Sequence, residues 1–310
     1  MSTRSESVSS RRAYILSALA VVAGGALISG NGPVLRFIEN EDGWLILLVR
    51  QAGYVTVLLA FLGFQAQSAR SRGVLAEDKA RRPGREWPLI VLGSVLLTIA
   101  FAGFHFALPH TTVATAVLML ASGPIIGAVL GYVLLGERVS RWLVLAVCMT
   151  TVGLVIMTYD AIDLGGGLGA AMALFAMCGY ASMMVCFRKL SAKGRTRSMV
   201  GGGMLTLLIA LMSTLIVSGS FAMSLSDVLL ALIIGAVFYG GGFLLLAQGA
   251  KHLPAAQITL LGLSEVVLAP IWGWLIVNET PTVSSLLGGG FVLLAICTLA
   301  VSGMRLRHRG

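Results

Sequence analysis

Two segments decide the fold: residues 110–137, HTTVATAVLMLASGPIIGAVLGYVLLGE, and residues 252–279, HLPAAQITLLGLSEVVLAPIWGWLIVNE. Sliding the chain by 142 residues lays His110 on His252, Ala114 on Ala256, Leu118 on Leu260 and Ser122 on Ser264. The same shift lays Gly131 on Gly273 and Glu137 on Glu279. Each segment carries an apolar run of about 20 residues, the length that crosses a hydrocarbon core of about 30 Å. One membrane-spanning unit therefore occurs twice.

Working outward, further windows of this kind flank both segments. The ten windows begin near Ala13, Trp44, Trp87, Thr111, Trp142, Gly165, Ser198, Asp227, Pro254 and Ser284. They end near Phe37, Gln65, Leu108, Leu135, Tyr159, Phe187, Gly219, Gly249, Val277 and Met304. None shows the sustained apolar–polar alternation of a transmembrane barrel. The expected fold is an all-α membrane protein of ten transmembrane helices in two five-helix repeats. Five is odd, so the second repeat enters from the opposite side and the repeats are inverted. The expected divisions are a tail over 1–12, repeat 1 over 13–159, repeat 2 over 165–304 and a tail over 305–310. Arg11 and Arg12 before the apolar run from Tyr14 resemble a signal peptide. That run continues to about Phe37 and nine more spans follow, so it reads as a retained first helix.

Charge supports the same reading. Apolar residues make up 57% of the 310 and charged residues 11%, against roughly 25% charged in soluble domains. The net charge of +9 would suit a nucleic-acid partner, but the basic residues sit in short clusters between apolar runs, so none is expected. With a cytoplasmic N-terminus and alternating helices, twenty of the twenty-two Lys and Arg residues fall inside, including the cluster from Arg70 to Arg85 and the group from Arg188 to Arg197. The outer loops hold Glu39, Glu41, Asp42, Asp160, Asp163, Asp227 and Glu279. This positive-inside pattern places both termini in the cytoplasm, with the chain in a bacterial inner membrane. Cys148, Cys178, Cys186 and Cys297 all lie in apolar runs without metal-ligand spacing and read as buried, inert thiols, so no metal and no cofactor is expected.

Gly30-Asn31-Gly32 to Arg36 end the first window, and Arg50 lies in the second. Ala121-Ser122-Gly123-Pro124 is followed by Gly136-Glu137; Phe187-Arg188-Lys189-Leu190 closes the sixth window; Ser264-Glu265 precedes Glu279 by one span. In their order and spacing these motifs resemble two copies of the EamA-type module of the drug/metabolite transporter superfamily, from Tyr14 to Met304. The resemblance implies a carrier of amino acids, related amphipathic metabolites or vitamins such as riboflavin, in either direction. It also marks a departure: where the family often has Glu-Pro this chain has Glu265-Val266, with its proline at Pro270, which moves the expected kink about one turn along.

Glu265 is the first candidate for substrate contact. A carboxylate at bilayer depth costs about 2.5 to 3.5 kcal/mol on insertion scales, so it must face a cavity or a partner. Helical spacing puts Leu261, Gly262, Leu268, Ala269 and Trp272 on its face. Pro270 cannot donate to the carbonyl of Val266. Carboxylate, carbonyl and the Trp272 indole together suit a cationic or planar group. The alternative is a protonated Glu265 sealed against a neighbouring helix. Arg50 could anchor a substrate carboxylate, or could snorkel to outer headgroups. Tyr180, Tyr239 and Phe243 are mid-membrane aromatics, with Tyr239 and Phe243 sharing a face beside Gly240-Gly241-Gly242. They suit a cavity lining or ordinary packing.

Gly123, Gly127 and Gly131 form a small-residue stripe for close helix packing, between the halves or in a homodimer. Pro124 is expected to free the carbonyl of Leu120. The repeat partner of Glu265 is Gly123, so charge chemistry there is one-sided. No P-loop, nucleophile elbow or paired-acid motif is present, so no enzymatic activity is expected. The expected function is secondary active transport of a small-molecule substrate, with membrane lipid around it and protons as a candidate coupling ion. A passive facilitator of the same shape and an intramembrane lipid-modifying enzyme are the alternatives.

Overall fold

A computed structural model describes residues 2–71, 86–107, 110, 119–137, 139–158, 167–278, 280 and 282–306. The basic residues from Arg72 to Arg85, together with Arg138, Asp160, Asp163, Glu279, Arg307, Arg309 and the expected start of the fourth span at Thr111, lie outside the described residues. No strand occurs among the described residues. In a hydrocarbon solvent each backbone polar group needs an internal partner, and the helix supplies it within one segment.

The helices are α1 (Ser2–Ser29), α2 (Asn31–Leu35), α3 (Gly43–Ser71), α4 (Trp87–Ala107), α5 (Ser122–Leu135), α6 (Arg141–Thr158) and α7 (Gly167–Lys189). They continue with α8 (Ala192–Ser213), α9 (Leu225–Ile233), α10 (Gly242–Gly249), α11 (Ala255–Gly262), α12 (Ser264–Val277) and α13 (Val283–Leu306). A π-helical turn, Thr214–Ser218, extends α8, and a longer π segment, Ile234–Gly241, fuses α9 to α10. Seven helical stretches are long and apolar enough to cross a membrane, with α1–α2, α9–α10 and α11–α12 each counted as one. Three shorter apolar helices, Ser122–Leu135, Arg141–Met157 and Val283–Leu299, bring the total to ten among the described residues.

The repeat is legible in the backbone. The break before α5 falls at Ala121 and the break before α12 falls at Leu263, which are 142 positions apart. Both helices end on a left-handed cap, Gly136 at φ 67° and Asn278 at φ 57°, again 142 apart. Packing follows the same rule. α4 lies along α7 as α1 lies along α10, and α5 touches α7 as α12 touches α1. The contacts α3–α8, α5–α11 and α6–α13 join the matching members of the two halves.

Several local expectations change. The seventh span begins at Ala192 rather than Ser198, because Ser191 caps it by accepting from Gly194 N at 3.0 Å. Buried Arg195 is accommodated there by donating to Leu190 O at 2.8 Å and Phe187 O at 3.4 Å, the last carbonyls of the preceding turn. The carbonyl of Leu120 is not free, since Gly123 N donates to it at 3.0 Å. Pro124 sits in the first turn of α5, where a missing N–H costs little. Cys148 and Cys297 are exposed on the helix surface rather than buried; Cys186 is buried and Cys178 is half-buried.

Candidate functional site

The centre of the molecule is built by three helices that depart from regular geometry. α11 and α12 meet at Leu263, where Leu263 N donates to Leu260 O and Val266 N donates to Leu263 O, tight turns in place of the α ladder. The break thus lies just before Glu265, and α12 runs unbroken through Pro270. The kink expected about one turn along falls on the other side of the acid. α1 packs into the break: a Cβ on Gly25 would strike Ser264 Oγ and lie 2.7 Å from Gly262 O, so only a residue without a side chain fits there. Ser264 Oγ donates to Val22 O at 3.1 Å and closes that contact.

Glu265, in the first turn of α12, remains partly exposed, and among the described residues it has neither a hydrogen bond nor a cationic partner. Gly262, three residues before Glu265, lies beside Tyr180 of α7: a Cβ on Gly262 would sit 3.6 Å from the Tyr180 hydroxyl. Leu261 and Gly262 belong to the helix before the break, so of the face expected around Glu265 only Leu268, Ala269 and Trp272 share its helix. The Trp272 indole N–H donates to Ser29 Oγ at 2.9 Å, and Ser29 donates onward to Ala26 O at 2.6 Å. This fixes the indole against the end of α1.

The expected aromatics come together. Tyr239 and Phe243 stack with centroids 6.5 Å apart and planes 20° from parallel, and Tyr180 meets Phe243 edge-on at 6.2 Å. Two residues that sequence reading missed complete the group. Phe101 of α4 meets Phe243 at 5.1 Å and Tyr239 at 5.9 Å, and Tyr54 of α3 meets Phe101 at 5.5 Å and Phe243 at 6.1 Å. Tyr54 lies one turn from Arg50, a signal available in the sequence, but only the fold reveals its rings' neighbours. Its hydroxyl is fully buried without a hydrogen-bond partner. The guanidinium of Arg50 lies over the Tyr239 ring at 4.6 Å, a cation–π contact. Tyr239 itself is carried on the π segment, a geometry frequent at functional sites. A Cβ on Gly235 of that segment would strike Arg50 O, so α3 and the π segment touch backbone to backbone.

The glycine stripe of α5 faces inward. A Cβ on Gly123 would lie 2.8 Å from Met177 Sδ of α7, and one on Gly127 would lie 3.1 Å from Ala256 Cα of α11. A Cβ on Gly131 would lie 2.6 Å from Glu137 Oε2. The stripe thus packs α5 on the second half of the chain. An apolar hollow of about 440 Å³ between Ile99, Gly103, Phe106, Ala171, Met172 and Phe175 has no polar lining and does not include Glu265. No cluster of His, Cys, Asp or Glu suited to a metal occurs among the described residues.

The polar contacts at the helix ends sort onto two faces. On one, Tyr14 donates to Gln257 at 3.1 Å, Ser17 meets His252 at 2.9 Å, Ser191 donates to Glu86 at 2.8 Å and Arg188 pairs with Glu137 at 2.8 Å. On the other, Glu39 N donates to Asp227 at 3.2 Å, Asn40 donates to Ala222 O at 3.1 Å, and Trp44 meets His105 edge-on at 4.7 Å.

Ten apolar helices among the described residues, with a matching break in each half, suit a membrane carrier. The sequence matches the EamA-like transporter family over residues 13–159 and again over residues 167–301, so the chain belongs to that family and is a multi-pass membrane transporter. It is similar to the uncharacterized transporter YwfM of Bacillus subtilis (strain 168), with 25% identity over 221 residues, 70% of this chain and 74% of that one. It is also similar to an uncharacterized transporter of Clostridium kluyveri, with 20% identity over 216 residues, 66% of this chain and 69% of that one. A solved structure described as "Crystal structure of protein" shares the fold at a TM-score of 0.75 and 18% identity, over 92% of this chain and 97% of that chain.

Proposed function

We propose that this transporter is a secondary active carrier that moves a small organic metabolite by alternating access between two inverted five-helix repeats. The observation that carries the reading is Glu265, a partly exposed carboxylate with no partner among the described residues, set just past a helix break whose Gly262 packs beside Tyr180. A sealed structural acid would have found a hydrogen bond, because an unpaired buried polar group costs about 1 to 3 kcal/mol or more. Phe101 of the first half and Tyr180 of the second both meet Phe243, so one ring cluster draws on both halves, as a site between moving halves requires. Among amino acids, related amphipathic metabolites and vitamins such as riboflavin, the arrangement best suits a substrate that combines a basic nitrogen with a flat apolar body, such as an aromatic amino acid or amine. Glu265 would hold either the substrate ammonium or a coupling proton. Arg50 over Tyr239 would meet a substrate carboxylate.

Proteoliposome uptake of tryptamine, L-tryptophan, indole-3-acetate and riboflavin tests the site. Tryptamine or L-tryptophan should accumulate against a gradient, and Glu265→Gln should stop the accumulation; uptake of indole-3-acetate alone would contradict the reading. Both termini are placed in the cytoplasm, with Lys and Arg concentrated there. Reporter fusions after Arg82 and Arg195 should read inside and one after Asp163 outside. An outside signal at either basic loop would remove the inverted arrangement.

A further inference from the structure

We propose that Glu137 is the latch of a gate on the face that carries Arg188 and His252. Held shut, it locks the half-helix α11 over the site; released, it lets α11 swing and open the site to that side. The inference rests on the alternating-access reading and adds the moving part.

Glu137 follows the left-handed Gly136 cap of α5 and uses both carboxylate oxygens across the boundary between the halves. Oε1 accepts from Arg188 Nε of α7 at 2.8 Å, and Oε2 accepts from the backbone N–H of Ala255 at 3.3 Å. Ala255 is the first residue of α11, so the carboxylate also sits at the positive end of that helix dipole. Arg188 reaches on to Ala250 O at 3.4 Å. One ion pair therefore gathers the ends of α5, α7 and α10 and the start of α11. The pair is only partly covered, with 25% and 16% of the Arg188 and Glu137 side chains exposed, so water can reach it and compete.

The object it holds is built to move separately. α11 is eight residues long, nearly all buried, and ends at the Leu263 break one residue before Ser264 and Glu265. Its sides rest on Gly127 of α5, whose missing side chain leaves a smooth contact with Ala256, and on α1 through Tyr14 and Gln257. Around it Val21, Leu253, Ile258 and Leu260 are fully buried, whereas beyond the break Glu265, Leu268, Ala269, Pro270, Trp272 and Gly273 are all partly exposed. The packing around α11 is thus tight, and Ser264, Val266 and Val267 carry it a short way past the break. Glu137 holds the start of α11 and Glu265 lies just past its other end, so α11 links the latch to the acid across the break.

The test uses the full chain in nanodiscs, with the four native cysteines replaced by alanine and a reporter Ile258→Cys in α11. A membrane-impermeant maleimide reads its exposure. Glu137→Gln and, separately, Arg188→Gln should each raise the labelling rate at position 258 by about tenfold or more, as expected when one member of a half-buried pair is removed. A control Val292→Cys, buried between α6 and α13, should label no faster in either variant. Should Glu137→Gln fail to fold, Arg188→Gln and the milder Glu137→Asp give the same reading. Unchanged labelling at position 258 in both Gln variants, or equal increases at positions 258 and 292, would overturn the gate. The proposed site fails by a different sign: normal transport in Glu265→Gln with position 258 still opened by Glu137→Gln removes the site and leaves the gate.

Discussion

Helices α5 and α12 are the same piece of chain used twice, and they differ where it matters. Both start just after a break, both carry Ser at their first position, and both end on a left-handed residue. At the second position one has Gly123, packed against Met177, and the other has Glu265, partly exposed and without a partner among the described residues. The scaffold is therefore symmetric while the chemistry is one-sided. Both halves carry the same break, and in the proposed reading the single acid gives one side a group to bind. The comparison also separates two uses of a missing side chain: Gly123 and Gly127 allow close packing, whereas the space before Glu265 is filled by another helix, α1.

The largest effect that bears on this comparison is expected at the α1 contact. Gly25→Leu would drive a branched side chain into the backbone of the break, beyond the about 1 to 3 kcal/mol typical of overpacking. Membrane expression and thermal stability should collapse; a wild-type yield would mean that α1 does not press on the break. Gly127→Leu meets Ala256 at the matching surface of α5 and should cost about 1 to 3 kcal/mol, seen as a lower unfolding temperature. Normal stability there would mean that α5 and α11 do not touch.

The caps sharpen the comparison at smaller scale. Gly136→Ala forces a left-handed residue to carry a Cβ, at about 1 to 2 kcal/mol. Asn278→Gly relaxes the equivalent position and should change stability by only about a few tenths of a kcal/mol, since Asn tolerates this conformation. Thermal unfolding of the two variants side by side checks the pair, and equal shifts would contradict the backbone equivalence.

Much of this was legible in the sequence because it depends on composition and period. Apolar length gave the spans, and the 142-residue shift from Ser122 to Ser264 and from Gly136 to Asn278 coincides with real breaks and caps. Glu265 was legible because a lone acid in an apolar run is costly anywhere. The position of the break was not. Pro270 is the obvious local signal, yet α12 tolerates it, and the break falls instead where Gly25 and Val22 of α1, distant in sequence, pack against Gly262 and Ser264. Tyr54 and Phe101 were missed for a related reason: a single aromatic in an apolar run looks like core until other helices bring more rings to it. Glu137 looked like a repeat marker, and its role needs Arg188 and Ala255, from two other helices, to become visible.

The central claim is that the one-sided acid is used in the transport cycle. It is tested most directly by the pH dependence of concentrative tryptamine or L-tryptophan uptake in proteoliposomes, comparing wild type with Glu265→Gln. The account predicts that wild-type uptake varies with pH, and that Glu265→Gln folds but loses concentrative uptake, its remaining exchange being flat with pH. Full uptake with an unchanged pH profile in Glu265→Gln would contradict it.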